Sequence, residues 1–319
     1  MVRFGVMGAG RIAKDFCDAA KRADGAEVVA VASKSLDKAN AFAQEKGIAR
    51  AYGDYSEMLA CKDIDAVYIA TTTNFHYENL LQCMEAGKHV LCEKAMVETE
   101  TRAQEVFRLA KEKKLFVMEA MWSRFLPKSL KVREWVKAGL IGEVTGAQAT
   151  IGFSAERDMT NRFFNPELGG GAFYDLGVYL IDLLPYFAVQ EIVDVECGIQ
   201  YAPTGVDAML NLNLKLEHCY ANGQAQFLAK VPEDCYLYGS KGYIYIPKIH
   251  WGRDCIRYDV DGKEVERFTN DEPCGFRFEI EETVRCVESG KLESEIASHE
   301  MTLISSRIYD KMIASEMQH

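Results

Sequence analysis

No stretch of about 18 consecutive apolar residues occurs in the 319-residue sequence, so no membrane-spanning helix is expected. Surplus positive charge is absent too. The 37 Lys and Arg are outnumbered by 48 Asp and Glu, which leaves a formal net charge of −11. Nucleic acid requires a concentrated basic face, so it is not an expected partner. The ten cysteines, at positions 17, 61, 83, 92, 197, 219, 235, 255, 274 and 286, never form Cys-x-x-Cys. Several, Cys83 and Cys92 among them, sit inside apolar patterns. They read as buried free thiols of a reducing cytosol. His76, His89, His218, His250, His299 and His319 are dispersed, so no metal-ligand spacing appears and no metal is expected. No charged leader precedes the first strand pattern, so the expected location is the cytoplasm, not outside the cell. Repeats, low-complexity stretches and long linkers are also missing.

What is present is an ordinary globular composition, 48% hydrophobic and 27% charged, on a chain long enough for two domains. Residues 2–7 read as a buried strand running into Gly8-x-Gly10-x-x-Ala13, with a helix following. Gly8 permits a tight strand-to-helix turn. Gly10 lacks a Cβ, so a pyrophosphate can approach the backbone. Ala13 lets the helix lie close to the strand. Arg11, Ile12 and Ala13 open that helix, whose N–H groups and dipole suit phosphate. The pattern points to dinucleotide binding. The plainer reading is a glycine turn that only helps the strand pack.

Apolar runs at 27–32, 65–70, 88–92 and 115–118 add four more strands of a parallel sheet. Helical stretches near 11–23, 36–46, 55–61, 75–86 and 99–113 lie between them. Asn74 and Thr99 are expected N-caps, and Gly25, Gly47 and Gly87 expected helix stops. After residue 120 the texture changes. A helix to about 138, a strand near 144–153 and a helix over 171–187 precede strand-like sequence from 191 to 268. Turns are expected at Pro203–Gly205, Asn222-Gly223, Ser240–Gly242 and Asp261-Gly262. Helices near 275–289 and 298–315 close the chain. The expected fold is an α/β Rossmann doubly wound parallel sheet over residues 1–120. Residues 121–319 form an α+β domain with a large, mostly antiparallel open sheet. A sheet of that size has a second face, and a homodimer through it is expected.

Strand two ends at Ser33, Lys34 and Ser35, where an NAD-selective site usually carries Asp or Glu. A cation and two hydroxyls fit a 2′-phosphate, so NADP is preferred and NAD possible. A solvated surface lysine is the plainer reading. Strand four ends at Thr71-Thr72-Thr73-Asn74-Phe75-His76, placing polar groups at the ligand edge. Strand five ends at Glu93-Lys94, where a nicotinamide would lie. A partly desolvated lysine near a positive ring has a lowered pKa and suits acid–base work; an exposed salt bridge is the alternative. Asp175, Tyr179 and Asp182 fall at i, i+4 and i+7 on one helical face, after Gly169-Gly170-Gly171. Trp122, Arg124 and Phe125 sit on the crossing segment, and Arg162 near the glycine run, as groups for a substrate.

Together these residues resemble the glucose–fructose oxidoreductase, inositol dehydrogenase and MocA (Gfo/Idh/MocA) family of NAD(P)-dependent oxidoreductases. The marks are Gly8-x-Gly10-x-x-Ala13, Thr72-Thr73-Asn74-x-His76, Gly87-Lys88-His89-Val90-Leu91-x-Glu93-Lys94 and Gly169-Gly170-Gly171-x-x-x-Asp175-x-Gly177. Residues 119–125 and 175–179 look most like the branch with dimeric dihydrodiol dehydrogenase and NADP-dependent D-xylose dehydrogenases. The resemblance implies that Lys94 is catalytic and that Glu93, Asn74 and His76 line the cofactor cleft. Asp175 and Tyr179 then lie over the reacting carbon. It leaves open which of Lys94 and Tyr179 is the final proton carrier. The family's common Glu-Lys-Pro is here Glu93-Lys94-Ala95, and Thr73 stands where proline is frequent. The implied activity is hydride transfer at a secondary alcohol or hemiacetal of a sugar, polyol or cyclic diol. Two other readings stand beside it: an enzyme using tightly bound NAD(P) transiently, without net redox, and a non-catalytic NADP-binding regulator.

Overall fold

A computed structural model describes residues 1–272 and 274–316. His319 lies outside the described residues. The chain divides into two compact units. The first comprises Met1–Trp122 and the described residues from Cys274 onward; the second begins at Ser123. This differs from a cut at residue 120, because the closing helices α8 (Phe276–Glu288) and α9 (His299–Glu316) group with the first unit.

In the first unit six parallel strands lie in the order β3-β2-β1-β4-β5-β6. They are β1 (Val2–Met7), β2 (Ala26–Ala32), β3 (Arg50–Tyr52), β4 (Ala66–Ile69), β5 (His89–Glu93) and β6 (Val117–Ala120). Five follow the apolar runs. The three-residue β3 was not foreseen, being too short to show a pattern. Helices α1 (Arg11–Ala20), α2 (Leu36–Lys46), α3 (Tyr55–Leu59), α4 (His76–Glu85) and α5 (Glu100–Lys113) connect them. All four residues of β4 are buried, as expected of a strand covered on both faces. α1 packs on α8 and α5 on α9. Thr99 caps α5 by accepting from the Arg102 N–H, and Ser35 caps α2 by accepting from Lys38. Asn74 is not a cap. It lies inside a 3₁₀ turn, Thr73–Phe75, that precedes α4.

The second unit holds α6 (Pro127–Lys137), β7 (Val144–Gly152), α7 (Val178–Ala188), β8 (Ile192–Tyr201), β9 (Asp207–Leu216), β10 (Tyr220–Gln226), β11 (Cys235–Gly239), β12 (Gly242–Ile246), β13 (Asp254–Tyr258) and β14 (Glu264–Thr269). Its eight strands run β14-β13-β12-β11-β7-β10-β9-β8, antiparallel except for the β7–β10 pair. Asn222-Gly223 is not a turn but lies within β10. Gly223 is small for packing: a Cβ there would stand 3.0 Å from Leu180 of α7. α7 packs on β7, β9 and β10, and α6 on β13 and β14. The strands alternate buried and accessible residues, as a one-sided sheet should. The accessible side carries a stack of tyrosines, with Tyr236–Tyr245 and Tyr243–Tyr258 centroids 4.8 and 4.7 Å apart. Amide pairs Asn222–Asn213 and Gln224–Asn211 continue it.

Candidate active site

The first unit's ligand edge is built at the carboxyl ends of β1, β4 and β5. Gly8 ends β1 with φ 103°, and a Cβ there would lie 2.7 Å from the Ala70 carbonyl oxygen. No side chain but glycine's fits between these two strand ends. Gly10 caps α1 without any side-chain hydrogen bond, and a Cβ on it would meet nothing within 4 Å. The first N–H groups of α1 therefore face a space the chain leaves for a ligand, which fits the pyrophosphate of a dinucleotide. Arg11 is exposed and Ala13 fully buried, with Ile12 between these extremes.

At the end of β2, Ser33 is 7% exposed and Lys34 exposed. The Lys34 ammonium sits 4.0 Å from the Phe75 ring centroid. Sequence reasoning passed over Phe75; its position directly after Asn74 in the polar turn was the available signal. Thr71 Oγ1 donates to Asn79 at 2.9 Å, and Thr72 Oγ1 to Asn74 at 2.6 Å.

His76 is buried, with Nδ1 2.9 Å from Ala95 O and Nε2 3.1 Å from Thr71 O. Burial holds its imidazole below the usual range. The neutral ring carries one N–H, so it donates to one carbonyl at a time. Lys94 is close enough to His76 for its charge to add to that lowering. The Lys94–Ala95 peptide bond is cis. On the far side, Met96 N–H donates to Glu119 Oε1 at 2.8 Å, while Thr302 donates to Glu119 Oε2 at 2.7 Å. The residues after Lys94 are thus held at consecutive positions.

Glu93 is 6% exposed and accepts from the Tyr68 hydroxyl. Glu279 of α8 is fully buried, and neither of its carboxyl oxygens has a hydrogen-bond partner among the described residues. Burial first, and Glu93 second, push the Glu279 carboxyl well above its usual range. Neither Tyr68 nor Glu279 was marked in the sequence, because only the fold brings them to Glu93. Trp122 stacks on Phe276 with centroids 5.1 Å apart.

The second unit carries Asp175 and Tyr179. A Cβ on Gly171, φ 128°, would lie 2.4 Å from Asp207 Oδ1. That carboxylate accepts the Phe173 N–H at 2.5 Å and anchors the helix start. Phe173–Gly177 is a π-helical segment, and α7 begins only at Val178. The wider turn breaks the expected stripe of three. Asp175 meets Arg162 at 3.3 Å, whereas Asp182 is buried and clasped by Arg124 at 2.7 and 2.9 Å. Arg124 also lies over the Tyr186 ring at 4.4 Å. Phe125 is 3% exposed and belongs to the core. Among the expected substrate groups, Arg162 pairs with Asp175 and Tyr179 lies on α7, whereas Arg124 and Phe125 are taken up by the unit's interior. Tyr179 is 5% exposed, and its ring packs on His250 at 4.7 Å.

Residues 2–121 match the model of an oxidoreductase family with an NAD-binding Rossmann fold, GFO_IDH_MocA, and residues 129–245 match the GFO/IDH/MocA C-terminal domain. The chain belongs to the Gfo/Idh/MocA oxidoreductase family. A trans-1,2-dihydrobenzene-1,2-diol dehydrogenase of Danio rerio is 32% identical, over 97% of this chain and 95% of its own. A D-xylose 1-dehydrogenase (NADP(+)) of Hypocrea jecorina is 34% identical over 92% and 86%. An aldose-aldose oxidoreductase of Caulobacter crescentus shares the fold at a TM-score of 0.90 and 21% identity, over 99% and 98%. The Gfo/Idh/MocA membership makes this chain an NAD(P)-dependent oxidoreductase.

Proposed function

We propose that the protein is an NADP-dependent dehydrogenase acting on a CH–OH group of an aldose, polyol or cyclic diol. The observation that carries this reading is the double anchoring of the residues after Lys94, by His76 on Ala95 and Glu119 on Met96. Such anchoring of the two residues after Lys94 supports its reading as the proton donor or acceptor at the sheet's ligand edge. The names of the relatives, a diol dehydrogenase and a xylose dehydrogenase, support the substrate class.

NADP, when bound, supplies the hydride acceptor or donor. Gly8, Gly10, Arg11, Ile12 and Ala13 hold its pyrophosphate at the start of α1. Ser33, Lys34 and Ser35 take the 2′-phosphate, with the Lys34 charge as the main attraction. Thr71, Thr72, Asn74, His76 and Glu93 line its cleft. Lys94 of the first unit and Tyr179 of the second are the two candidates for carrier of the reacting hydroxyl's proton. Asp175, with Arg162, orients the substrate, and Trp122 offers a ring surface. Arg124 acts at one remove, by neutralising Asp182 inside the helix that carries Tyr179.

A homodimer is part of this reading. The open side of the eight-stranded sheet carries the tyrosine stack and the amide pairs, and its cover in this reading is a second copy of the chain. A cytoplasmic location fits ten free thiols, seven of them buried. A spectrophotometric NADP(H) screen across aldoses, ketoses, inositols and diols tests the activity. No absorbance change on any of them, with cofactor bound, defeats it. Sedimentation at micromolar concentration tests the dimer, and a monomer there removes it.

A further inference from the structure

Six residues after β12, Pro247–Gly252, are pinned almost one by one within the second unit. Lys248 has a left-handed backbone, φ 52°. Its carbonyl accepts from Trp251 N–H at 3.0 Å, from Gly252 N–H at 2.6 Å and from Lys128 Nζ at 2.8 Å. Lys128 Nζ also reaches Pro247 O at 3.5 Å. Ile249 N–H donates to Glu233 O at 2.6 Å, and the Trp251 indole N–H to the Glu233 carboxylate at 2.7 Å. The Ser123 hydroxyl donates to His250 O at 2.7 Å, and Ser129 in turn donates to Ser123 O at 2.6 Å. What this knot presents is the His250 ring, packed on Tyr179 with planes at 31°.

Lys128 is the unusual member. It is 0% exposed, and its hydrogen bonds run to main-chain carbonyls. The titratable groups facing it are the thiols of Cys255 and Cys235 and the carboxylate of Asp254. Burial pushes both thiols up, Cys255 to about 12, so they stay neutral at ordinary pH. Burial also brings the Lys128 ammonium down to about 7. An apolar side chain would fill the same volume without that desolvation cost. A buried amine instead gives the knot a bond whose strength depends on protonation, because charge-assisted hydrogen bonds are about twice as strong as neutral ones.

We propose that Lys128 is a positioning residue that acts through Pro247–Gly252 and His250 to set how the Tyr179 ring is held. Its catalytic meaning rests on the reading of Tyr179 as a proton carrier; the mechanical link from Lys128 to Tyr179 does not. The ammonium form holds the knot firmly, and the amine form holds it less. The surroundings of the Tyr179 ring change accordingly across neutral pH.

The test is carbon NMR of the full-length protein labelled at tyrosine Cζ, with Tyr179→Phe identifying the resonance. In the wild type the Tyr179 signal should move with a midpoint near 7. In Lys128→Met it should stay flat. His250 is retained in that variant, so its own titration cannot mimic the result. Lys128→Gln keeps a neutral donor, serves if Lys128→Met does not fold, and should also be flat. A flat wild-type signal, or an inflection that survives in both variants, overturns the proposal. In NADP-linked oxidation of D-xylose, kcat of both variants should fall about fivefold on the acid side, with KM for NADP unchanged. Wild-type kcat in both, where Tyr179→Phe has lost turnover, also overturns it. Full turnover in Tyr179→Phe is a different failure: it removes Tyr179 from the mechanism while leaving the NMR coupling to stand.

Discussion

Nδ1 of His76 lies 2.9 Å from the carbonyl oxygen of Ala95, the residue that follows Lys94. In this position the resemblance leads one to expect proline. A proline ring would restrict the turn by itself. Here the restriction comes from neighbours, His76 on one side and Glu119 on the other. The turn beside Lys94 is therefore built from long-range contacts in place of a local covalent constraint.

Lys94→Met should lower kcat by roughly 100-fold or more, the usual scale of general acid–base catalysis. NADP affinity, read by fluorescence titration, should change little. Undiminished turnover removes Lys94 from the chemistry.

Glu119→Leu should act on the same turn from a distance. It leaves the Met96 N–H and the Thr302 hydroxyl buried without an acceptor, each costing about 1–3 kcal/mol. The expected outcome is a clear drop in Tm together with a lower kcat. A stable variant with normal kcat shows that the turn does not depend on Glu119.

Lys34→Ala should shift cofactor choice. Loss of one charge-assisted contact is worth about 1.5–3 kcal/mol, so the NADP-to-NAD ratio of kcat/KM should fall about 10-fold or more. Steady-state kinetics with both cofactors decides it. An NAD-preferring wild type refutes the assignment of Ser33, Lys34 and Ser35.

Glu279→Gln should make the protein more stable at alkaline pH. The Glu279 carboxyl is raised in the folded state, first by burial and then by Glu93. Folding therefore favours its protonated form. Below the ordinary glutamate pKa of about 4.3 both states are protonated and the cost vanishes. As pH rises above it, the unfolded chain ionises while the buried group resists, so stability falls. Glutamine removes that dependence. Melting curves of the two proteins should coincide near pH 4 and separate as pH increases. A constant gap at every pH shows that Glu279 is not the source.

The parallel sheet was legible because its strands are covered on both faces and read as apolar runs bounded by glycines. The glycine turn between β1 and α1 was legible because Gly8 and Gly10 act within a few residues of each other. The misreadings share a different physics. Asn222-Gly223 has the sequence of a hairpin turn, but Gly223 is there to admit Leu180. Asp182 was placed beside Asp175 on an assumed uniform helix, and the π-helical turn between them broke the spacing. Arg124 and Phe125 looked available, yet burial is a property of the whole unit and no local pattern announces it. Glu279 and His250 matter through contacts more than 70 residues away in sequence, with Glu93 and Tyr179, and no spacing rule could pair them.

The grouping of α8 and α9 with the first unit has a consequence in time. α1 and α5 must wait for their helical partners until the whole of the second unit has been synthesised. At ribosomal rates of about 5–20 residues per second, that wait is on the order of ten seconds. The unit that begins the chain is the last to be completed. During the interval the faces of α1 and α5 that will meet α8 and α9 remain open on the nascent chain, where a chaperone would find them.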